Sequence, residues 1–278
     1  MGGLGNQIFQ IFTTISYAIQ TGHCFKFTNA KQLGTGGTTI RTTFWDTFFV
    51  HLKHLTIREF PQCHVIKEKD FTYNELPVHE MMHRDVLIHG YFQSYKYFQI
   101  YYDIICRIIG LEQLRDALLK KMHYEDANTL KDTVSMHFRI GDYKKVQHVH
   151  PIMTKEYYMR SLNFISQRLQ TDTTPLTVRF FCEDSDLDDV VPIITYLTAK
   201  FPDYHFVRGD NKLEDWEQML LMSCCHYNII ANSTFSWWSA YFNKWDDKIV
   251  CYPSKWFGPS GPNNTRDLCP PNWHKINA

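Results

Sequence analysis

Between residues 134 and 252, short apolar runs rich in β-branched and aromatic residues alternate with segments of helical periodicity. The predicted strands are 134–139, 176–182, 205–207, 227–231 and 249–252. The predicted helices are 155–170, 187–199, 213–225 and 235–243. Strands that alternate with helices of this length form right-handed βαβ units and a parallel sheet. The pattern therefore predicts an α/β fold with a doubly wound C-terminal half.

The first half of the chain has a less regular pattern. Apolar residues at helical spacing predict a helix at 8–19 after a glycine-rich loop at 2–7, and 95–121 reads as largely helical. Short strands are expected at 25–27 and 86–89. The polar stretch 126–131 marks the expected boundary between a domain at 1–128 and a domain at 129–278.

Composition excludes several classes of partner. Lys plus Arg and Asp plus Glu both number 29 in the 278 residues, so bulk charge gives no indication of nucleic-acid binding. No run of about 18 apolar residues predicts a membrane span, and no secretory signal pattern is seen at the start. The eight cysteines form no Cys-x-x-Cys pair and no zinc spacing with histidine. We therefore expect a cytoplasmic protein in a reducing compartment.

The end of the first strand of the second half carries polar side chains suited to an anion. His137 and Arg139 alternate with Phe138, so both leave the strand on one face. The guanidinium of Arg139 is a planar fork of donors that matches phosphate oxygens, and Gly141 lets the backbone turn close to a ligand. An ion pair with an aspartate at the strand end is the alternative role of Arg139.

A second polar cluster, 232–238, lies between a predicted strand and a predicted helix. Ser233 or Thr234 would cap that helix, and free backbone N–H groups at a helix start bind phosphate. Capping alone is the alternative. Asn232-Ser233-Thr234 is also a glycosylation sequon, which we discount because core residues flank it.

Two further clusters complete the candidate site. The acidic segment 183–186 follows a strand, where carboxylates accept hydrogen bonds from a ribose or a base, or simply cap the next helix. Asp184-Ser185-Asp186 also resembles a metal-binding triplet, although such a triplet arises easily by chance. The loop 2–7 has glycines that allow close approach to a ligand, but it fits neither the dinucleotide nor the P-loop fingerprint.

At these four clusters the sequence resembles glycosyltransferase family 11, the α-1,2-fucosyltransferases. That family carries Gly-Gly-Leu-Gly-Asn-Gln, His-x-Arg-Arg-Gly-Asp-Tyr, Phe-Ser-Asp-Asp and Asn-Ser-Thr-Phe-Ser-Trp-Trp in this order. The matching segments are 2–7, 137–143, 181–184 and 232–238, with weaker echoes at 90–98, 221–223 and 256–259. The resemblance therefore covers nearly the whole chain.

The resemblance implies a GT-B-like architecture, two Rossmann-like halves facing a cleft, and a galactoside 2-α-L-fucosyltransferase type of enzyme. Such an enzyme transfers L-fucose from GDP-L-fucose to a glycan hydroxyl with inversion and without a metal or other cofactor. The first half would bind the acceptor and the second half the nucleotide. Carried over by motif, the donor-binding residues are Gly5, Asn6, His137, Arg139, Glu183, Asp184, Ser233, Thr234 and Phe235.

The resemblance also implies roles in catalysis. Negative charge grows on the departing GDP, and without a metal it must be met by fixed donors. Arg139, the start of the 235–243 helix and Asn6 would supply them, with Asn6 reaching the leaving phosphate or the sugar. The acceptor hydroxyl must also lose its proton. Asp142 is the candidate base by motif, and orienting Arg139 is its alternative role.

Three departures from the family pattern bear on these expectations. Ile140 replaces the second arginine of the motif, which leaves the linkage open. Cys182 and Glu183 replace serine and aspartate. The strand that usually precedes the glycine-rich loop has no counterpart in the sequence, so we expect the first half to lack its first strand.

Three other readings compete with the fucosyltransferase. One is a transferase that uses a different nucleotide sugar, since the motifs mostly recognise GDP. Another is a catalytically inactive relative that binds glycans. The third is a metal-dependent transferase using the Asp184-Ser185-Asp186 triplet.

Overall fold

The computed structural model describes residues 2–33, 40–81, 83–169 and 175–278. Its contacts divide the chain into two compact units. The first comprises Met1–Arg115 and Asn264–Pro270, and the second comprises Asp116–Asn263 and Pro271–Ala278. The acceptor-side and nucleotide-side roles expected for 1–128 and 129–278 remain predictions.

The first unit combines helices with short strands. Its elements are α1 Leu4–Thr21, β1 Phe27–Thr28, β2 Gln32–Leu33, β3 Arg41–Thr42, β4 Thr56–Ile57, β5 His64–Lys67, β6 Val86–His89, α2 Tyr102–Ile109 and the start of α3 Leu111–Lys121, with 3₁₀ turns at Val50–Leu55, His79–Met81, Tyr95–Tyr97 and Gln99–Tyr101. β1 pairs with β4 and β5 pairs with β6, both in parallel, while β2 and β3 are antiparallel. An open groove of about 290 Å³ runs between α1, β1 and β6.

The glycine-rich segment at 2–7 is mostly helix rather than loop. Gly3 is the N-cap of α1, and the Gln7 N–H donates to the Gly3 carbonyl at 3.0 Å. The Gln7 side chain also donates to the Gly2 carbonyl. The helix therefore begins at Leu4, one turn before the predicted start at residue 8, and the buried Leu4 extends the apolar face of the helix one turn ahead of Ile8.

The segment 95–121, predicted to be largely helical, consists of two 3₁₀ turns followed by the helices α2 and α3. α2 ends at Ile109, and Gly110, which has a φ of +69°, is its C-cap. A Cβ at this position would lie 2.5 Å from the ring of His51. A side chain is therefore excluded there both by the backbone conformation and by the close packing of His51.

The second unit has the predicted strand–helix alternation. Its elements are the end of α3, β7 Thr133–His137, α4 Lys155–Arg168, β8 Thr177–Phe181, α5 Leu187–Lys200, β9 His205–Arg208, α6 Asp215–Cys224, β10 Tyr227–Ile229, α7 Thr234–Phe242, β11 Val250–Pro253 and β12 His274–Ile276, with 3₁₀ turns at Ala127–Leu130, Gly141–Lys145 and Asp184–Asp186. The predicted helix 155–170 ends at Arg168, and residue 170 lies outside the described residues.

These strands form one parallel sheet in the order β12-β11-β10-β7-β8-β9. The chain proceeds from β7 outward to β8 and β9, then returns to the other side of β7 and continues through β10 to β12. This reversal is the doubly wound order, and ligands of such sheets bind where the order reverses, beyond the carboxyl ends of the strands. The α/β class and the doubly wound sheet are confirmed.

The core of the second unit lies on both faces of β7. All five residues of β7 are buried, and its neighbours contribute Val178 and Ile229, both with no exposed surface. Trp237 and Trp238 of α7 are also fully buried, so both serve in the packing of this helix. The sheet is therefore a rigid support for the loops at its carboxyl edge.

Candidate functional site

The carboxyl ends of β7 and β10 are adjacent because these strands pair in parallel, with Ile229 opposite Met136. β7 leads into residues 138–143, and β10 leads into the start of α7. Two of the predicted polar clusters therefore lie at the reversal point of the sheet. The acidic segment after β8 joins them, since β8 pairs with the other side of β7.

Arg139 lies at the centre of the acidic part of this site. Its Nη1 donates to Glu183 Oε1 at 2.6 Å and its Nη2 to Asp142 Oδ1 at 2.5 Å. The guanidinium carbon also lies 5.1 Å from the centre of the Tyr143 ring. The guanidinium is thus held in one orientation by two carboxylates and an aromatic face, with only 20% of its side chain exposed.

The other acidic residues have different partners. Asp184 pairs with Arg208 at the end of β9, and this hydrogen bond lowers the pKa of Asp184. Asp186 is buried, and its Oδ2 accepts the Gly141 N–H at 2.9 Å. The structure therefore brings Glu183 to Arg139, whereas Asp184 faces Arg208 and Asp186 supports the turn at Gly141.

This arrangement bears on the metal-binding triplet. Asp184 and Asp186 are engaged by Arg208 and by a backbone N–H, respectively. Over the described ranges, no cluster of three or more His, Cys, Asp or Glu side chains is arranged to hold a metal ion. Metal independence remains a prediction that only an assay tests.

The start of α7 provides the second part of the site. Ser233 is the N-cap, and its Oγ accepts the Phe235 N–H at 3.3 Å. Thr234 opens the helix and is partly exposed, as is Phe235. Ser233 therefore caps α7, as the alternative role predicted. The start of the helix is also partly exposed, which leaves space for an anion to bind its backbone N–H groups.

Asn232 fixes this turn to the rest of the unit. Its side chain is buried and donates to the carbonyls of Pro151 and Trp256, both at 3.0 Å. The Tyr143 hydroxyl donates to the Asn232 carbonyl at 3.1 Å. Asn232 is therefore a structural residue, in agreement with our discounting of the sequon. Tyr143 connects Arg139 to the start of α7.

His137 lies beside both parts of the site. Its ring is buried and packs on Phe235 with the ring centres 5.4 Å apart. Burial, aided by the positive charge of Arg139, lowers the pKa of His137 to about 3. Its Nδ1 is buried and has no hydrogen-bond partner among the described residues. His137 is therefore a neutral imidazole at the site and carries an unused polar atom.

Sequence reasoning assigned no role to Tyr143 or Arg208. The Tyr143 ring stacks on His150 with centres 4.7 Å apart, and burial lowers the pKa of His150. Tyr143 is the last residue of the 137–143 motif, so the motif could have indicated that Tyr143 belongs to the site. Arg208 could have been found because it ends a strand next to the acidic segment.

The remaining predicted residues, Gly5 and Asn6, lie in the first unit, in the first turn of α1. Gly5 is buried, and Asn6 is partly exposed. The Gln93 side-chain amide donates to Asn6 Oδ1 at 3.0 Å. Asn6 is therefore positioned by the segment after β6, one of the weaker motif echoes. Its predicted role toward the donor remains a prediction.

In the part of the chain that the structure describes, no helix has the length and apolar character to cross a membrane.

Comparisons with known proteins agree with these motifs. Residues 25–277 match the model of the family described as "Glycosyl transferase family 11". Among curated proteins, an Escherichia coli "Alpha-1,2-colitosyltransferase" is 26% identical, covering 99% of this chain and 96% of that protein. The E. coli "O-antigen biosynthesis glycosyltransferase WbnK" is 32% identical over 66% of this chain and 58% of that protein.

Among solved structures, a mutant of Arabidopsis thaliana FUT1 in complex with GDP matches with a TM-score of 0.47 and 10% identity, covering 90% of this chain and 68% of that one.

Proposed function

This chain belongs to glycosyl transferase family 11, and we propose that it transfers L-fucose from GDP-L-fucose to a glycan hydroxyl, with inversion and without a metal ion. Its fucosyltransferase-like family implies a nucleotide-sugar donor and a glycan acceptor. We also propose that the new bond is an α-1,2 linkage, which the name of the colitosyltransferase relative supports.

One observation carries the proposal. Arg139 lies at the reversal point of the doubly wound sheet, and Tyr143 links it to the helix start that Ser233 caps. A guanidinium and a helix start held together at this place are suited to the two phosphates of a nucleoside diphosphate. These groups are fixed before the reaction, so they stabilise the charge that develops on GDP without reorganisation.

The role of Arg139 requires that a diphosphate displace its present partners. Glu183 and Asp142 are roughly half exposed, at 58% and 50% of their side chains. Ion pairs this exposed contribute about 0.2–1 kcal/mol each. Hydrogen bonds from a guanidinium to phosphate contribute about 1.5–3 kcal/mol each. The exchange therefore favours the diphosphate, and Glu183 becomes available to a ribose hydroxyl or the guanine.

The decisive experiment measures GDP release with a panel of donors and acceptors. We expect turnover with GDP-L-fucose and a terminal galactoside, and no turnover with UDP-sugars. Full activity in EDTA supports the metal-independent reading. Calorimetric binding of GDP with no turnover for any donor would instead indicate the inactive glycan-binding relative.

A colitosyl donor is the second candidate, favoured by the relative that aligns with nearly the full length of the chain. Colitose is L-fucose without the hydroxyl at C3. A site that hydrogen-bonds this hydroxyl rejects the deoxy sugar by roughly 10⁴–10⁵ in kcat/KM, whereas an apolar site discriminates only about 10²-fold. The ratio of kcat/KM for the two GDP-sugars therefore separates the candidates.

A further inference from the structure

His150 is a partly buried histidine that reaches the site through Tyr143. Its ring stacks on the Tyr143 ring with the centres 4.7 Å apart and the planes 18° from parallel. The same Tyr143 ring lies 5.1 Å from the guanidinium carbon of Arg139. The imidazole is therefore separated by one aromatic ring from the group to which we assign the diphosphate, and all three residues belong to the second unit.

The backbone fixes the position of His150 from two sides. The His150 N–H donates to the Val146 carbonyl at 2.8 Å, which closes a turn. The Gly258 N–H donates to the Val149 carbonyl at 2.8 Å, and a Cβ on Gly258 would lie 2.5 Å from the His148 carbonyl oxygen. This loop is therefore held in place by its backbone, and the side chain at position 150 can serve another purpose.

Stacking alone does not account for a histidine at this position. Nδ1 of His150 is buried and has no hydrogen-bond partner in the described part of the chain. The Phe257 ring also contacts the imidazole, with the ring centres 5.5 Å apart. A phenyl ring would make both ring contacts without burying an unpaired polar atom, which is unfavourable. The property that distinguishes imidazole from phenyl here is its ability to bind a proton.

The charges that act on His150 come from Arg139 and Asp142, which follow β7. The segment 256–260, which packs against the imidazole through Phe257, contains no titratable side chain. Burial lowers the pKa of His150, Asp142 raises it, and Arg139 lowers it. Without a ligand, the imidazole is therefore held in its neutral form by burial and by the nearby guanidinium.

Binding of a diphosphate changes this balance. The anion neutralises the charge of Arg139, and Asp142 gives up its ion pair with the guanidinium. Both changes, together with the negative charge of the diphosphate itself, favour the protonated form of His150. Because the diphosphate favours the proton, the proton must strengthen the binding of the diphosphate by the same factor.

We propose that His150 takes up a proton when the diphosphate of the donor binds, and so adds a positive charge to the site from which GDP leaves. This proposal rests on the proposed function, since it requires the diphosphate at Arg139. The proton comes from solvent and binds an imidazole nitrogen, and no bond of the donor changes in this step. The imidazolium then stabilises the negative charge that develops on GDP, and it returns the proton to water when GDP departs. Since His150 acts across the Tyr143 ring, it is a positioning residue.

The test measures proton uptake by titration calorimetry in buffers of different ionisation enthalpy, near the ordinary histidine pKa of about 6.5. The ligand is GDP-L-fucose without an acceptor, because its phosphates, unlike those of GDP, do not titrate near neutral pH. We expect the wild type to take up a fraction of a proton per donor bound. His150→Phe keeps the ring contacts and loses this uptake. His148→Phe, at an exposed position of the same loop, is the matched control and behaves as the wild type.

The affinity for the donor gives a second readout. In the complex the pKa of His150 is higher than in the free protein, so the added affinity is present at low pH and is lost as pH rises through the pKa of the complex. Between about pH 6 and pH 8 the wild-type affinity falls by up to about tenfold for each unit by which binding raises this pKa. The affinity of His150→Phe changes less over the same range.

The ring signal of His150 in the NMR spectrum of the wild type tests the proposal without a substitution, since its titration midpoint moves to higher pH when the donor is added. An unmoved midpoint overturns the proposal, as does equal proton uptake by the wild type and His150→Phe. Failure of the proposed function looks different. A wild type that binds the donor and takes up the proton but transfers no sugar to any acceptor supports the role of His150 and refutes the transfer. A wild type that binds neither GDP nor GDP-L-fucose refutes both.

Discussion

Replacing Arg139 with alanine tests the central electrostatic feature of the site. The guanidinium contributes two charge-assisted hydrogen bonds to a diphosphate, about 3–6 kcal/mol in all. Separating this guanidinium from the half-exposed carboxylates of Asp142 and Glu183 costs at most about 2 kcal/mol. The net loss is therefore about 1–6 kcal/mol. Removing one comparable oxyanion donor lowers rates about 10²–10³-fold, and we expect kcat/KM to fall by that factor.

The assay combines GDP titration calorimetry with steady-state GDP release. Arg139→Lys keeps the charge but loses the planar fork, so its kcat/KM falls less than that of Arg139→Ala. Arg160→Ala, at an exposed position on α4, is the matched control. An Arg139→Ala enzyme with GDP affinity and kcat within twofold of the wild type would refute the reasoning.

Three further outcomes are expected. Tyr143→Phe loses the hydrogen bond to Asn232, so the free energy of unfolding, measured by urea denaturation, falls by about 0.5–1.5 kcal/mol. Because Arg139 also loses its link to α7, kcat/KM falls by a larger factor than the affinity for GDP. Trp238→Ala empties a fully buried site and lowers unfolding free energy by about 3–5 kcal/mol, measured in the same way. The lowered pKa of His137 stabilises the folded state above about pH 6.5, and this contribution is lost as pH falls toward 3. The unfolding free energy of His137→Gln therefore falls less steeply than that of the wild type between pH 6.5 and pH 4.

Much of the second unit could be predicted because its central strands, β7 and β10, are buried on both faces. Such strands appear as continuous apolar runs, and the parallel order then brings Arg139 and Glu183 to one edge. By contrast, β12 has the sequence His-Lys-Ile with no apolar run, and it was missed. Side-chain partners such as Arg208 for Asp184 depend on rotamers and strand register, which periodicity does not report.

The first unit was harder to predict for a physical reason. Several of its strands have only two residues, as in β1 and β4, too short for any alternating pattern. The bond from the Tyr91 N–H to Glu68 depends on the pairing of β5 with β6, and only β6 was predicted from the sequence.

The position of β7 in the middle of its sheet has a consequence for hydrogen exchange. With ladders on both sides and all five residues buried, its amides exchange only when the whole unit unfolds. Arg139 follows two residues beyond this strand, so its backbone loses little freedom when a nucleotide arrives. Deuterium uptake at β7 thus reports global opening, whereas changes on GDP addition at residues 138–146 report the ligand alone.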